Sequence, residues 1–341
     1  MSTDLNHTED TGSPGGTETA VEAAATQDDD NRHRSAIGQL LGSIAHNPKA
    51  LAGAAVLGMF VVVAVFAPLI APFDPHSTDY GRGVGPSGAH WLGTTTYGQD
   101  VFSQLVYGTR QSLLIAFLVG GVATVVSALI GVGAAYVGNL VDHGLSLFTD
   151  IFLVIPGLPL LIVISSYIRG GGIMVMVGVI AVTSWAYGAR QFRAQALSLR
   201  NREFLDAARV RGERTSYTVV FEILPTMSGL LVANFLGAAV YGVLAVAGLQ
   251  FIGLGDITSI SWGSMMHWAE NNEALQAGTP LWDLAPGLCI ALLGASFSLI
   301  NYAFDEVSNP ALRPPRRRRP QRDRSQRNQK EVSGAATVQQ T

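Results

Sequence analysis

The sequence predicts an all-α polytopic membrane protein that crosses the bilayer six times, with both ends of the chain in the cytoplasm. Three observations predict this. Of the 341 residues, 48% are hydrophobic and only 14% are charged, whereas a soluble domain carries about 25% charged residues. Six stretches hold no charged side chain and approach or exceed the ~20 residues a helix needs to cross the hydrocarbon. The positive side chains then fall almost entirely on one side of a six-span topology.

The stretches are Ala50–Phe73, Gln111–Val141, Ile151–Ile168, Gly170–Ala189, Ile223–Gly255 and Leu284–Phe304. The third is the shortest. Extending its helix back to about Gly144 places Asp150 near the membrane surface. Strands are excluded, because the apolar runs are too long and lack period-two alternation, which also excludes a membrane barrel. Helices are the remaining way to satisfy every backbone group in lipid. Pro156 and Pro159 predict a kink or break in the third span. Gly120, Gly121, Gly131, Gly133 and Gly138 suit close helix approach. Ordinary packing and a gating hinge both remain open for these residues. No internal repeat marks an inverted-repeat transporter.

With the N-terminus inside, the cytoplasmic side receives Arg32, Arg34, Lys49, then Arg190, Arg193, Arg200, Arg202, Arg209, Arg211 and Arg214, then an Arg-rich tail. The outer side receives only Arg82, Arg110 and Arg169. The last outer loop carries only acidic charge, from Asp256, Glu270, Glu273 and Asp283. The expected division of the chain is a disordered acidic tail over 1–36 and a first span with its outer loop over 37–110. A five-helix core follows over 111–312, with a coupling loop at 203–225, and then a disordered Arg-rich tail over 313–341. Both tails have too little apolar surface to offset the entropy of ordering. The N-terminus is acidic and polar, so no cleavable signal peptide is expected and the first span stays as an anchor. A single cysteine, Cys289, excludes a disulfide framework and a cysteine metal site. No cofactor or metal is expected.

The most informative stretch is Asp206-Ala207-Ala208-Arg209-Val210-Arg211-Gly212, followed by Ile223-Leu224-Pro225. From Ala189 to Arg211 the chain reads as a helix leaving the membrane. Ala207 and Ala208 keep its surface low enough for a partner to approach, and Gly212 supplies a left-handed stop. Tyr217 to Leu224 suits the interface, and Pro225 marks the turn into the fifth span. A basic amphipathic loop lying on anionic lipid is the competing account.

A longer pattern surrounds this loop. It comprises Trp185, Tyr187-Gly188-Ala189-Arg190, Arg193, Leu197 and Phe204, then Asp-Ala-Ala, Gly212 and Ile-Leu-Pro. Asn47-Pro48, Phe66-Ala67-Pro68-Leu69-Ile70-Ala71-Pro72 and His90-Trp91-Leu92-Gly93-Thr94 precede it, with Gly98-Gln99-Asp100-Val101 and Tyr107-Gly108-Thr109-Arg110. Phe251-Ile252-Gly253-Leu254-Gly255, Ser261-Trp262-Gly263 and Asn309-Pro310 follow it. Together these resemble the C-type permease subunit of ABC importers of the dipeptide, oligopeptide and nickel family, over roughly residues 45 to 313. The loop resembles that family's EAA loop, with Asp206 in place of the leading Glu. Thr95 stands where that family usually has Asp, and Gln99 and Gln104 where Arg is usual, so no charge pairing is carried over to the outer loop.

The resemblance implies a type I importer permease fold, half of a translocation pore, and no ATPase site in this chain. The sequence agrees with the last point, because no Gly-Lys-Ser/Thr of a P-loop occurs. It implies that Asp206, Ala207, Ala208, Gly212, Ile223, Leu224 and Pro225 couple to an ATPase. The implied partners are a sister permease, P-loop ATPase subunits, an extracellular solute-binding protein and membrane lipid; nucleic acid is not among them. A secondary transporter or channel is the alternative class. Ion coupling needs ionisable groups near mid-membrane, and the six spans hold none. Asn234, Tyr241 and Gln250 of the fifth span are candidates for the substrate path, with interhelical hydrogen bonding as the competing role. No nucleophile sits beside a base, so no catalytic residue is expected.

Overall fold

The structure is a computed structural model that describes residues 47–167, 172–200 and 202–308. The two tails, residues 168–171, Asn201 and Asn309-Pro310 lie outside the described residues. Their regular elements are helices, with one isolated antiparallel bridge between Thr94 and Asp100. Among the described residues five helices are long and apolar enough to span a membrane, and the number is six if one bent pair counts as a single span.

Helix α1 covers Pro48–Val65. Asn47 caps it, its side-chain oxygen accepting from the Lys49 N–H at 3.0 Å, and Pro48 occupies the first turn, where a missing N–H costs nothing. A short α2 (Ala67–Ile70) follows, so the first span ends before the predicted Phe73. Helix α3 covers Val101–Val137 and starts well before the predicted Gln111. Asp100 is the cause. Its carboxylate accepts the Ser103 N–H at 2.8 Å and the Ser103 hydroxyl at 2.6 Å, so the helix begins there. Arg110, which set the predicted boundary, lies within the helix.

Gly138 turns the chain at φ +71°, a conformation that an L residue resists. Helix α4 (Asn139–Val154) and helix α5 (Gly157–Tyr167) then occupy the place of the predicted third span, bent by 84° to one another. The break falls at Pro156, as predicted, and the first half begins at Asn139 rather than Gly144. Neither Pro156 nor Pro159 has an N–H, so the break strands fewer donors in lipid than another sequence would. Helix α6 covers Gly172–Leu199 and α7 covers Glu203–Val210. The predicted continuous helix from Ala189 to Arg211 is therefore two helices, interrupted between Leu199 and Glu203.

After α8 (Thr215–Tyr217), a π-helical turn over Thr218–Ile223 and α9 (Leu224–Thr226) lead into α10 (Ser228–Phe251). The fifth span thus begins after Met227, and Ile223 to Pro225 belong to its approach. Helix α11 (Trp262–Asn271) was not anticipated. Ser261 and Ser264 start it with a reciprocal cap: Oγ of Ser261 accepts from the Ser264 N–H at 3.1 Å, and Oγ of Ser264 accepts from the Ser261 N–H at 2.9 Å. The last span is α12 (Leu281–Ser308).

Helix α3 is the axis of the bundle and packs chiefly on α6 and α10. A Cβ on Gly131 would overlap the Ala189 carbonyl oxygen, and one on Gly120 would lie 2.9 Å from that of Phe235. Those two predicted glycines mark helix crossings, while Gly121 and Gly133 face open space. At one end of α3, Val101, Leu113 and Ala116 pack with Phe60, Trp262 and Phe297. In the middle, Ile115 and Val119 meet Leu161, Ile180 and Val246. At the other end, Ala128, Val132 and Ala135 meet Phe192, Leu205 and Ile223.

Candidate functional site

The predicted coupling loop lies at the Val137 end of α3. Helix α7 is amphipathic, and its register decides what it can do. Leu205 and Ala208 are fully buried, with Leu205 in the cluster that includes Val132 and Phe192. Asp206, Ala207 and Gly212 are exposed, and Val210 is 89% exposed. The helix stops in a Schellman turn. Gly212 sits at φ +71° with no atom near a would-be Cβ, and the Glu213 N–H reaches back to the Ala208 carbonyl at 3.2 Å.

Beyond the stop, Arg211 bridges two acidic residues of the loop. Its Nε donates to Glu213 at 2.7 Å and its Nη2 to Glu222 at 2.8 Å. The hydrogen bond to Glu213 is the main cause that raises the Arg211 pKa above its ordinary value, with Glu222 adding to it. The return segment is anchored by Val219 and Ile223, both buried against α3 and α6. Leu224 is partly buried and Pro225 exposed. The seven predicted coupling residues therefore divide. Asp206, Ala207, Gly212 and Pro225 face outward, whereas Ala208 and Ile223 fasten the loop to the bundle.

A second feature lies between α4, α5, α6, α10 and α12. It is a cavity of about 580 Å³ whose lining includes Ile155, Gly157, Ser184, Gln191, Asn234, Tyr241 and Asn301. Two of the three predicted path residues, Asn234 and Tyr241, line it. Gln250 does not. It is 2% exposed, its amide donates to the Asp256 carbonyl at 2.9 Å, and its oxygen accepts from Ser261 at 2.7 Å. It ties the end of α10 to the start of α11. Asn234 also has a packing role, because it accepts from Thr124 at 3.1 Å and lies against Gly188, where a Cβ would also meet Ser127 Oγ at 2.6 Å.

The Arg211 clamp and the contributions of Ser184, Gln191 and Asn301 were not singled out from sequence. Ser184 and Asn301 are polar residues inside apolar spans, and that was the available signal. A further lock joins α4 to α6. Arg193 donates to Asp142 through Nε at 2.6 Å and Nη2 at 2.8 Å, and Trp185 stacks on Phe148 at 5.7 Å. At the Val101 end of α3, His90 contacts the buried Asp100 at 2.9 Å. There Gln104 donates to Gln99 at 2.9 Å, a neutral pair where the resemblance would have led one to expect two arginines.

Comparison with known proteins agrees with this architecture. Residues 123–314 match the binding-protein-dependent transport system inner membrane component family. Residues 42–83 match the N-terminal membrane domain of oligopeptide transport permease C. The dipeptide transport system permease protein DppC of Alkalihalophilus pseudofirmus is 30% identical over 270 residues, covering 78% of this chain and 87% of that protein. The oligopeptide transport system permease protein OppC of Mycobacterium bovis is 28% identical over 274 residues, covering 80% and 93%. The first family match takes in more than half of the chain, from the middle of α3 through the loop at 203–225 to the last span, so this multi-pass protein belongs to the binding-protein-dependent transport system inner membrane components.

Proposed function

We propose that this chain is one membrane subunit of an ATP-driven importer of dipeptides or oligopeptides. In this reading it pairs with a sister permease, an extracellular binding protein delivers the solute, and the loop at 203–225 seats in a separate ATPase subunit. The relatives, named for dipeptide and oligopeptide transport, support the class of solute. One observation carries the coupling assignment. Helix α7 is fixed on one face by Leu205 and Ala208, and presents Asp206, Ala207 and Val210 on the other. A short helix fastened to the long spans, with an exposed face that carries one acidic, one small and one apolar residue, passes a push from a partner into the bundle.

The test is co-purification of the ATPase subunits with tagged variants of this chain. Gly212 has open space around it, so Gly212→Val acts through backbone strain alone, about 1–2 kcal/mol for a left-handed non-glycine residue. Asp206→Arg reverses a charge on the exposed face. Both variants are expected to insert at normal levels and to lose most of the bound ATPase. Unchanged ATPase recovery in both would refute the assignment and favour a transporter that works without one.

A further inference from the structure

A pocket of about 140 Å³ lies where α3, α4 and α6 meet, and its lining includes Asp150 of α4 with Arg190 and Arg193 of α6. Arg193 is engaged by Asp142 through both Nε and Nη2. The side chains of Asp150 and Arg190 are exposed and have neither a hydrogen bond nor an ion pair among the described residues. One carboxylate and one guanidinium thus share a pocket without pairing. The same pocket marks a boundary in the chain. Asp150 is the last charge before the uncharged run 151–167, and Arg190 is the first after the uncharged run 172–189. Both helices pass from polar to apolar character at this level, which in a membrane is the level of the headgroups. On the apolar side of Asp150, Ile151 is 51% exposed and Val154 is 82% exposed. Val154 lies four residues on and shares the face of Asp150. Lipid tails solvate such surface as well as another apolar side chain would.

A ligand with one charge gains at one of these residues what it loses at the other, because like and unlike charges interact with equal strength and opposite sign. A ligand with an anion and a cation a few bonds apart gains at both. We propose that this pocket binds the headgroup of a phosphatidylethanolamine-type lipid, with its phosphate on Arg190, its primary ammonium on Asp150 and an acyl chain along Ile151 and Val154. The planar guanidinium matches phosphate oxygens. A primary ammonium offers three N–H donors to the carboxylate, and a quaternary ammonium offers none. The bound headgroup bridges α4 and α6, the two helices that Asp142 and Arg193 already join. Lipid composition then acts on the docking of the bent segment, whatever solute the protein carries.

The experiment uses the full chain, purified with the subunits that accompany it. The sample is placed in nanodiscs of equal parts phosphatidylethanolamine, phosphatidylcholine and phosphatidylglycerol with the same acyl chains. It is then moved to mild detergent, and the lipids still bound are counted by native mass spectrometry. The wild type is expected to retain the ethanolamine lipid over each of the others by about fivefold, the ratio that about 1 kcal/mol per charge gives near a membrane surface. Asp150→Asn is expected to abolish the preference over phosphatidylglycerol. Asp150→Lys puts two cations on the pocket and is expected to reverse it. Arg190→Gln is expected to bring the ethanolamine lipid down to the level of phosphatidylcholine.

Equal retention of the ethanolamine and choline lipids by the wild type would overturn the proposal. A wild-type preference for phosphatidylglycerol would overturn it in favour of a plain anion site. A preference for the ethanolamine lipid that survives both Asp150→Asn and Arg190→Gln would place the lipid elsewhere and also overturn it. If Asp150→Lys fails to assemble, those two near-isosteric variants decide. Free phosphoethanolamine carries the same two charges without tails, so competition separates the sources. Displacement of the lipid only by a large excess supports the lipid as occupant, and displacement at equimolar amounts would make a soluble compound the ligand and sink the lipid assignment.

Discussion

At the scale of single residues, Gly188 shows how closely this bundle is fitted. A side chain there would meet both Asn234 and Ser127, and Ser127 is held in place by its hydrogen bond to the Trp185 carbonyl at 2.7 Å. Helices α3, α6 and α10 meet at this one point. Gly188→Ala is expected to destabilise the purified complex by about 1–3 kcal/mol, the usual range for overpacking a filled interior, and to distort the Asn234 wall of the cavity. A thermal unfolding midpoint equal to that of the wild type would show that the crossing relaxes without loss. The sequence displayed Gly188 only as part of a run shared with a family. Nothing in its neighbours along the chain indicated that an asparagine from another helix would occupy the space beside it. The left-handed stop at Gly212 was legible, because a helix end is a local event governed by the residues that form it.

At the scale of elements, the third span separates what local chemistry decides from what packing decides. The break at Pro156 follows from a missing N–H and a ring clash, so it could be read from the sequence. The docking of α4 on α6 could not, because it depends on Asp142 and Arg193 meeting from positions far apart in the chain. Their two-point contact is partly shielded, with side-chain exposures of 13% and 33%. A double-mutant cycle with Asp142→Asn and Arg193→Gln is expected to give a coupling of about 1–3 kcal/mol in the stability of the complex. A coupling indistinguishable from zero would mean that the aromatic stack of Phe148 and Trp185 holds the two helices unaided. Helix α11 was missed for a similar reason. Its serine cap is a local signal, but in sequence the segment reads as an ordinary acidic outer loop.

At the scale of the whole molecule, the six-span fold was legible because uncharged length in lipid leaves few alternatives. The boundaries were less so, since Arg110 and Asp142 lie within helices that the absence of charge had been used to delimit. The placement of Lys and Arg still argues for an inward-facing coupling loop, and this can be measured. After Cys289→Ser, single cysteines at Asp79 and Glu273 are expected to react with an impermeant reagent added outside intact cells, while one at Arg202 stays protected. Labelling at Arg202 from outside would reverse the topology and remove the ATPase from reach. Helix α3 sets the mechanical character of the molecule. Its 37 residues extend for about 55 Å at 1.5 Å per residue, nearly twice the ~30 Å of hydrocarbon. One end is capped by Asp100, and the other carries Val132 and Ala135 against Leu205 of α7 and Ile223. The protein therefore contains a single unbroken helix that links the Asp100 region to the segment around α7. Those two regions share one continuous run of backbone hydrogen bonds, a link that does not depend on contacts from helix to helix.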